Sequence, residues 1–224
     1  YVNIEYIYSP IINTFERNFD KKLLLNQVEN VYGNVDVPEE IYALEAFKYI
    51  VENNPTLLDT LANKLSKIPI SLSTKLNSMA QYTDMSHMES NNQNQFKLSK
   101  ELKHRITYSF NHLLSFVKRI QNSGTILRIG TNTENGGMAF ISEQLLLAEA
   151  GISASDIIKI STINAAKVLK IDNQFGSIEI GKKADIIIYD QNPLDDYKNF
   201  ASTRRVIKSG KLFKRNPAKI DIEE

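Results

Sequence analysis

The sequence predicts an α/β protein in which strands and helices alternate along the chain. Apolar and polar residues alternate over residues 2–8, and short apolar runs at 68–73 and 125–129 give two further strands. Long segments with helical spacing separate these runs. After residue 171 the helical period gives way to strand patterns. Such alternation is typical of a parallel sheet or barrel, followed here by a region built from strands.

Several residues mark the starts of the predicted helices. Asp36 precedes Glu39 in a capping-box pattern, and Pro55, Ser99 and Ser153 stand at three later helix starts. The helix after Ser99 carries a core-facing apolar stripe made of Leu102, Ile106, Phe110, Leu113, Val117 and Ile120. Residues 11–34 are ambiguous, with a short helix expected around 21–29.

Residues 171–213 are predicted to form antiparallel strands and not another strand–helix unit. Residues 204–213 have the pattern of a hairpin that turns at Ser209 and Gly210. Residues 85–97 include a run of Asn and Gln and are expected to form a loop.

Composition excludes several classes of function. Lys and Arg number 27 against 26 Asp and Glu, so no basic field favours nucleic acid as a partner. Cysteine is absent, which excludes disulfides and thiolate metal sites. The apolar runs are too short to cross a membrane. Because a strand pattern begins almost at the first residue, we expect that the chain starts inside a longer fold.

Five motifs in the second half of the chain carry a family resemblance. They are Gly130-Thr-Asn132, residues 145–153, Thr162-Ile-Asn164-Ala-Ala, the glycine-bracketed segment 176–187, and Asn192-Pro-Leu194. Their order resembles the C-terminal part of the amidohydrolase superfamily, near its imidazolonepropionase and prolidase-type members. The resemblance implies a partial (β/α)8 TIM-type barrel over residues 1–170, followed over residues 171–224 by strands of a small β-sandwich.

The resemblance also implies a reaction and a set of site residues. The family hydrolyses carbon–nitrogen bonds with a water activated by a divalent metal such as zinc. Its catalytic aspartate corresponds to Asn132, which cannot ionise and so cannot act as the base. One of its metal-binding histidines corresponds to Tyr6, a poor ligand because phenols ionise only near a pKa of about 10. Asn132 as an ordinary turn residue and Tyr6 as an ordinary barrel aromatic are the alternatives.

Other candidate residues are weaker. Gly136 and Gly137 would let a substrate approach backbone amides, or they simply form a loop before the next helix. The three histidines are His87, His104 and His112, and none forms the family's His-x-His pair. We assign none of them as a metal ligand and expect no cofactor for this chain alone.

Two interpretations of the function remain. The first is a metal-dependent hydrolase of carbon–nitrogen bonds, represented by its C-terminal part and inactive as this chain alone. The second is a catalytically inactive relative that serves as a binding or scaffold protein. The partners expected are a small-molecule substrate and either the missing N-terminal half or another subunit.

Overall fold

The computed structural model describes residues 5–87, 96–131, 136–202 and 204–213. The helices in these ranges are α1 Ser9–Asn18, α2 Lys21–Tyr32, α3 Glu39–Asn53, α4 Thr56–Lys67, α5 Leu76–Ala80, α6 Lys100–Asn122, α7 Gly136–Glu149, α8 Ala154–Ser161 and α9 Ile163–Val168. A 3-10 helix spans Tyr197–Ala201. The strands are β1 Glu5–Tyr6, β2 Ser71–Ser73, β3 Ile126–Arg128, β4 Ile186–Tyr189, β5 Arg204–Lys208 and β6 Lys211–Phe213.

The first three strands form a parallel sheet in the order β1-β2-β3. Tyr6 pairs with Ser73, and Ser73 pairs with Arg128. Helices connect each strand to the next, as parallel pairing requires. The predicted strand–helix alternation is therefore confirmed for the described residues, although β2 and β3 are shorter than their apolar runs.

The two faces of the parallel sheet differ in character. Leu72 and Leu127 lie opposite each other in register and are buried under the helices. They join one hydrophobic cluster in which α3 packs against α6. The other face carries Tyr6, Ser73 and Arg128, because side chains alternate along a strand. The fold thus places polar and aromatic side chains on the face that the helices leave uncovered.

Most of the predicted helix starts are confirmed. Ser99 and Ser153 accept hydrogen bonds from the first turns of α6 and α8, and every member of the apolar stripe on α6 except Leu102 is buried. The capping role of Asp36 is wrong, since Pro38 stands at the N-cap of α3 and no side chain caps it. The helix α1 was not predicted.

The last three strands form an antiparallel sheet in the order β4-β5-β6, as predicted. Ser209 and Gly210 make the hairpin turn, and both have positive φ, 49° and 77°. The carboxylate of Asp185 accepts hydrogen bonds from the Ser209 amide at 2.8 Å and from the Lys208 ammonium. Asp185, the last residue of the Gly-Lys-Lys-Ala-Asp segment, therefore stabilises the hairpin turn.

This second sheet also contacts the helical part of the chain. Phe200, in the 3-10 helix, is fully buried and meets the ring of Tyr189 edge-on at 6.1 Å. The division at residue 170 into two domains stays a prediction. Of the expected loop at 85–97, residues 88–95 lie outside the described residues, and its described ends form neither helix nor strand. No helix in the described ranges is long and apolar enough to span a membrane.

Candidate functional site

The carboxyl ends of β1, β2 and β3 meet along one edge of the parallel sheet. Tyr6, Ser73 and Arg128 stand side by side in register. Two residues further along each strand come Tyr8, Lys75 and Gly130. In barrels and open parallel sheets this edge is where functional side chains gather. It is therefore the candidate site.

Gly130 allows the end of β3 to approach β2 closely. A β-carbon at this position would lie 1.8 Å from the hydroxyl oxygen of Ser73, so no larger residue fits without a shift. Thr131 follows and is half-buried. Asn132, predicted at the family's catalytic position, lies outside the described residues. Its role stays a prediction.

Gly136 and Gly137 are the first two residues of α7, the helix that follows β3 along the chain. Among the described residues, a β-carbon on Gly137 would meet nothing within 4 Å, and one on Gly136 would meet only the Thr131 hydroxyl, at 3.8 Å. Packing against the described residues therefore does not demand glycine at either position. The first turn of a helix leaves backbone N–H groups free to donate. Their predicted role in substrate binding remains a prediction.

Tyr6 and Tyr8 stack at the end of β1. Their ring centroids are 5.5 Å apart and the rings are nearly parallel, with 20° between their planes. Tyr8 is buried and donates its hydroxyl to the Glu39 carboxylate at 3.1 Å. Burial raises the pKa of Tyr8, helped by Glu39 and opposed by Lys75. Tyr8 is thus held as a neutral phenol.

Lys75 packs its charged end against this tyrosine pair. Its ammonium lies 4.7 Å from the centroid of the Tyr6 ring, donates to the Tyr8 hydroxyl at 3.0 Å and pairs with Glu40 at 3.1 Å. Burial alone would lower the pKa of Lys75, but its contacts with Tyr8 and Glu40 outweigh burial and raise the pKa above its ordinary value. Lys75 is therefore a buried, permanently charged cation at neutral pH.

Arg128 brings a second cation to the same face. Its Nε donates to the Ser71 hydroxyl at 3.2 Å, while its buried Nη2 has no hydrogen-bond partner among the described residues. Burial lowers the pKa of Arg128, and nearby Tyr6 opposes the shift only in part. One guanidinium nitrogen is thus buried without a hydrogen bond among the described residues, which costs free energy.

Glu143 on α7 fixes the turn that carries Lys75. Its fully buried carboxylate accepts hydrogen bonds from the Thr74 hydroxyl and, at 2.6 Å, from the Asn77 amide. Burial raises the pKa of Glu143 to about 7, and these hydrogen bonds oppose the shift. Sequence reasoning missed this residue, although one carboxylate amid the apolar residues of α7 was a usable signal.

The histidines lie away from this edge or are engaged elsewhere. His104 and His112 are exposed on α6, as predicted. His112 meets the Tyr108 ring at 4.6 Å, and His87 pairs with Glu149 at 2.9 Å.

The described residues do not fit a divalent metal at the strand ends. Phenols, an ammonium and a guanidinium gather there, and the nearby carboxylates of Glu39 and Glu40 are already engaged by Tyr8 and Lys75. Across the described ranges no group of three or more His, Cys, Asp or Glu side chains could hold a metal. A catalytic zinc site normally needs about three protein ligands.

The chain is similar to a known protein family and to individual relatives. A model of the family described as "Amidohydrolase family" matches residues 11–213. Ochratoxinase from Aspergillus niger is 33% identical over 109 residues, 46% of this chain and 22% of that protein. Imidazolonepropionase from Picrophilus torridus is 48% identical over 64 residues, 29% of this chain and 15% of that protein.

Solved structures show the same fold. A Xaa-Pro dipeptidase with bound methionine matches with a TM-score of 0.53 and 18% identity, over 79% of this chain and 48% of that one. A. niger ochratoxinase matches with a TM-score of 0.51 and 23% identity, over 77% and 39%. The chain thus matches less than half the length of each relative. Its fold is mixed α/β and similar to that of barrel-forming hydrolases.

Proposed function

Because the chain belongs to the amidohydrolase family, we propose that it forms part of a hydrolase that cleaves a carbon–nitrogen bond of a small non-peptide or dipeptide substrate. The relatives named ochratoxinase and imidazolonepropionase support this class. The observation that carries the proposal is the gathering of Tyr6, Lys75 and Arg128 at the carboxyl edge of one parallel sheet.

In this proposal β1, β2 and β3 are the last three strands of a (β/α)8 barrel, and β4 to β6 belong to a small β-sandwich. Consecutive strands are neighbours in the parallel sheet, as in a barrel. Ile126, on the face away from the helices, is 45% exposed, and Arg128 on the same face keeps an unpartnered nitrogen. The exposure of Ile126 supports a covering segment or subunit that completes the barrel.

The chain contributes substrate-binding groups in this proposal. The Tyr6 ring offers an aromatic wall, and the N–H groups in the first turn of α7 offer donors for a substrate carbonyl or carboxylate. Gly136 and Gly137 leave room for that approach. The residues at the strand ends do not fit the family's metal, so no catalytic step is assigned to them.

A second candidate function is a catalytically inactive relative that binds small amides or acts as a scaffold. One observation favours it: Tyr6, at the position of a family metal ligand, faces the ammonium of Lys75 at 4.7 Å. In this version the strand ends bind a ligand but do not hydrolyse it.

The test combines binding and turnover on one panel of dipeptides, N-acyl amino acids and lactams. We expect ligands to shift the backbone amide resonances of Thr131, Gly136 and Gly137. Gly137→Leu should weaken this binding because it fills the space before α7. The matched control is Ser155→Leu, an exposed position in the first turn of α8, which should leave binding unchanged.

Turnover is measured with and without added zinc or manganese. We expect this chain alone to hydrolyse the panel no faster than background and to hold no stoichiometric metal. If the folded chain shows no resonance shift with any member, the proposed binding site is wrong. One metal per chain together with chelator-sensitive hydrolysis would instead overturn the assignment of the strand ends as unfit for metal.

A further inference from the structure

We propose that the ammonium of Lys75 is the resident cation of the strand-end site and that it excludes a divalent metal ion from the position beside Tyr6. The inference rests on the proposed function only in taking the strand ends as the functional site. It does not depend on whether the protein hydrolyses a substrate.

The ammonium occupies a site built by three parts of the chain. Tyr6 and Tyr8 come from the end of β1, Glu40 from the first turn of α3, and Lys75 itself follows β2. The contacts are 4.7 Å to the Tyr6 ring centroid, 3.0 Å to the Tyr8 hydroxyl and 3.1 Å to a Glu40 oxygen. Aromatic faces and a carboxylate are the partners that a desolvated cation prefers.

The site is closed to exchange with solvent cations. Lys75 is 5% exposed and Tyr8 3% exposed. Glu40 is held by Lys75, and Glu39 already accepts from the Tyr8 hydroxyl at 3.1 Å. Both carboxylates that could otherwise attract a metal are therefore engaged in the same cluster.

The backbone supports a specific role for Lys75. Its φ and ψ are 47° and 32°, in the left-handed region that disfavours residues other than glycine, asparagine and aspartate. Residues persist in such conformations where the surrounding contacts over-determine them, and they cluster at functional sites. The Glu143 carboxylate supplies part of this constraint by holding Thr74 and Asn77 on either side.

Electrostatic repulsion by the Lys75 ammonium opposes the binding of a metal ion at this site. A divalent ion held by a ligand at position 6 would lie close to the ammonium, which is 4.7 Å from the centre of the Tyr6 ring. Repulsion between a single and a double positive charge at this separation, at the dielectric constant effective near protein surfaces, lowers metal affinity by at least about 100-fold. Replacing Tyr6 with a better ligand is therefore not sufficient to restore a metal site.

The experiment titrates Co²⁺ and Zn²⁺ into folded variants and follows the Co²⁺ absorption band and competition with a chromophoric chelator. Tyr6→His alone should show no tight binding. Tyr6→His with Lys75→Met frees the Glu40 carboxylate and the Tyr8 hydroxyl beside the introduced imidazole, and should bind at least about 100-fold tighter. The matched control, Tyr6→His with Lys75→Arg, retains the charge and should behave like Tyr6→His alone.

Equal affinity of Tyr6→His and its Lys75→Met double variant would overturn the proposal, as would tight binding by the Lys75→Arg double variant. If the Met double variant does not fold, the ¹⁵N resonance of the Lys75 ammonium in the unmodified chain gives the answer. We expect a protonated, slowly exchanging ammonium that stoichiometric Zn²⁺ leaves unshifted, whereas a specific Zn²⁺-dependent shift would refute the proposal. Neither measurement involves a substrate, so a failure of the proposed hydrolase function can be distinguished from a failure of this inference.

Discussion

Arg105 holds the buried carboxylate of Glu45 through two hydrogen bonds of 2.7 Å each, which join α6 to α3. Tyr32 and Gln27 donate to the same carboxylate from α2, at 2.8 Å and 2.9 Å. Burial alone would raise the pKa of Glu45, but these donors outweigh it and hold the pKa below its ordinary value. Three helices are therefore tied together by one ionised side chain.

Arg105→Met should destabilise the protein by about 3 kcal/mol, because it leaves the Glu45 carboxylate buried without its counter-ion. The matched control is Arg119→Met on the same helix, whose partner Asp59 is exposed and whose loss should cost less than about 1 kcal/mol. Urea unfolding measures both. Similar losses for the two variants would show that the Glu45 network does not stabilise this helix packing.

Glu143 gives the stability a defined pH dependence. Its pKa is about 7 in the folded protein and about 4.3 in an unfolded chain. Between these values the folded state binds the proton more tightly, so stability falls as pH rises toward 7 and levels off above it. Relative to Glu143→Gln, the free energy of unfolding should fall by about 1–3 kcal/mol between pH 5 and pH 8.

Glu29→Gln, an exposed position on α2, is the control for Glu143 and should parallel the unmodified chain across this range. A difference between the unmodified chain and Glu143→Gln that stays constant with pH would mean that the folded-state pKa of Glu143 is not raised.

Close packing requires glycine at position 176. A comparison with Gly181 separates this packing effect from backbone strain. Both have a φ of 92°, so an alanine at either position meets similar backbone strain. At Gly176 the new β-carbon would also lie 2.8 Å from the Ala166 β-carbon and 2.9 Å from the Ile163 α-carbon, whereas at Gly181 it meets nothing within 4 Å. We expect Gly181→Ala to cost about 1 kcal/mol and Gly176→Ala about 1–3 kcal/mol more. Equal melting temperatures for the two variants would contradict this.

The sequence predicted those features that depend on neighbouring residues. Ser99 and Ser153 were identified as helix caps, and the Ser209–Gly210 turn as a hairpin, because each signal lies within a few residues of the element it starts or ends. The helix α1 was missed because no side chain caps its start at Tyr8, and because its first residues, Ser9 and Pro10, also fit the end of a strand.

The candidate site depends on contacts between residues that are distant in sequence, and the sequence did not predict these contacts. Lys75 is buried through contacts with Glu40 and Tyr8, and Glu143 through contacts with Thr74 and Asn77. No local sequence pattern predicts which residues Lys75 and Glu143 contact. The role of Asn164 is also tertiary: its side-chain amide donates to the Leu127 carbonyl at 2.9 Å and so joins α9 to β3. The importance of Tyr6 was anticipated only through the family resemblance, which did not indicate the ammonium beside it.

The register of the parallel sheet sets the order in which this protein acquires its structure. Tyr6 pairs with Ser73 and Ser73 with Arg128, so each pairing closes a loop of more than fifty residues, whereas Lys208 pairs with Lys211 across a two-residue turn. Local hairpins form in about 1–10 μs, while pairings between distant segments are slow. The C-terminal hairpin therefore folds early and the strand-end site late. When the complete chain refolds, the strands of that site therefore stay unpaired longest, and a chaperone or a partner strand competes for them during this interval.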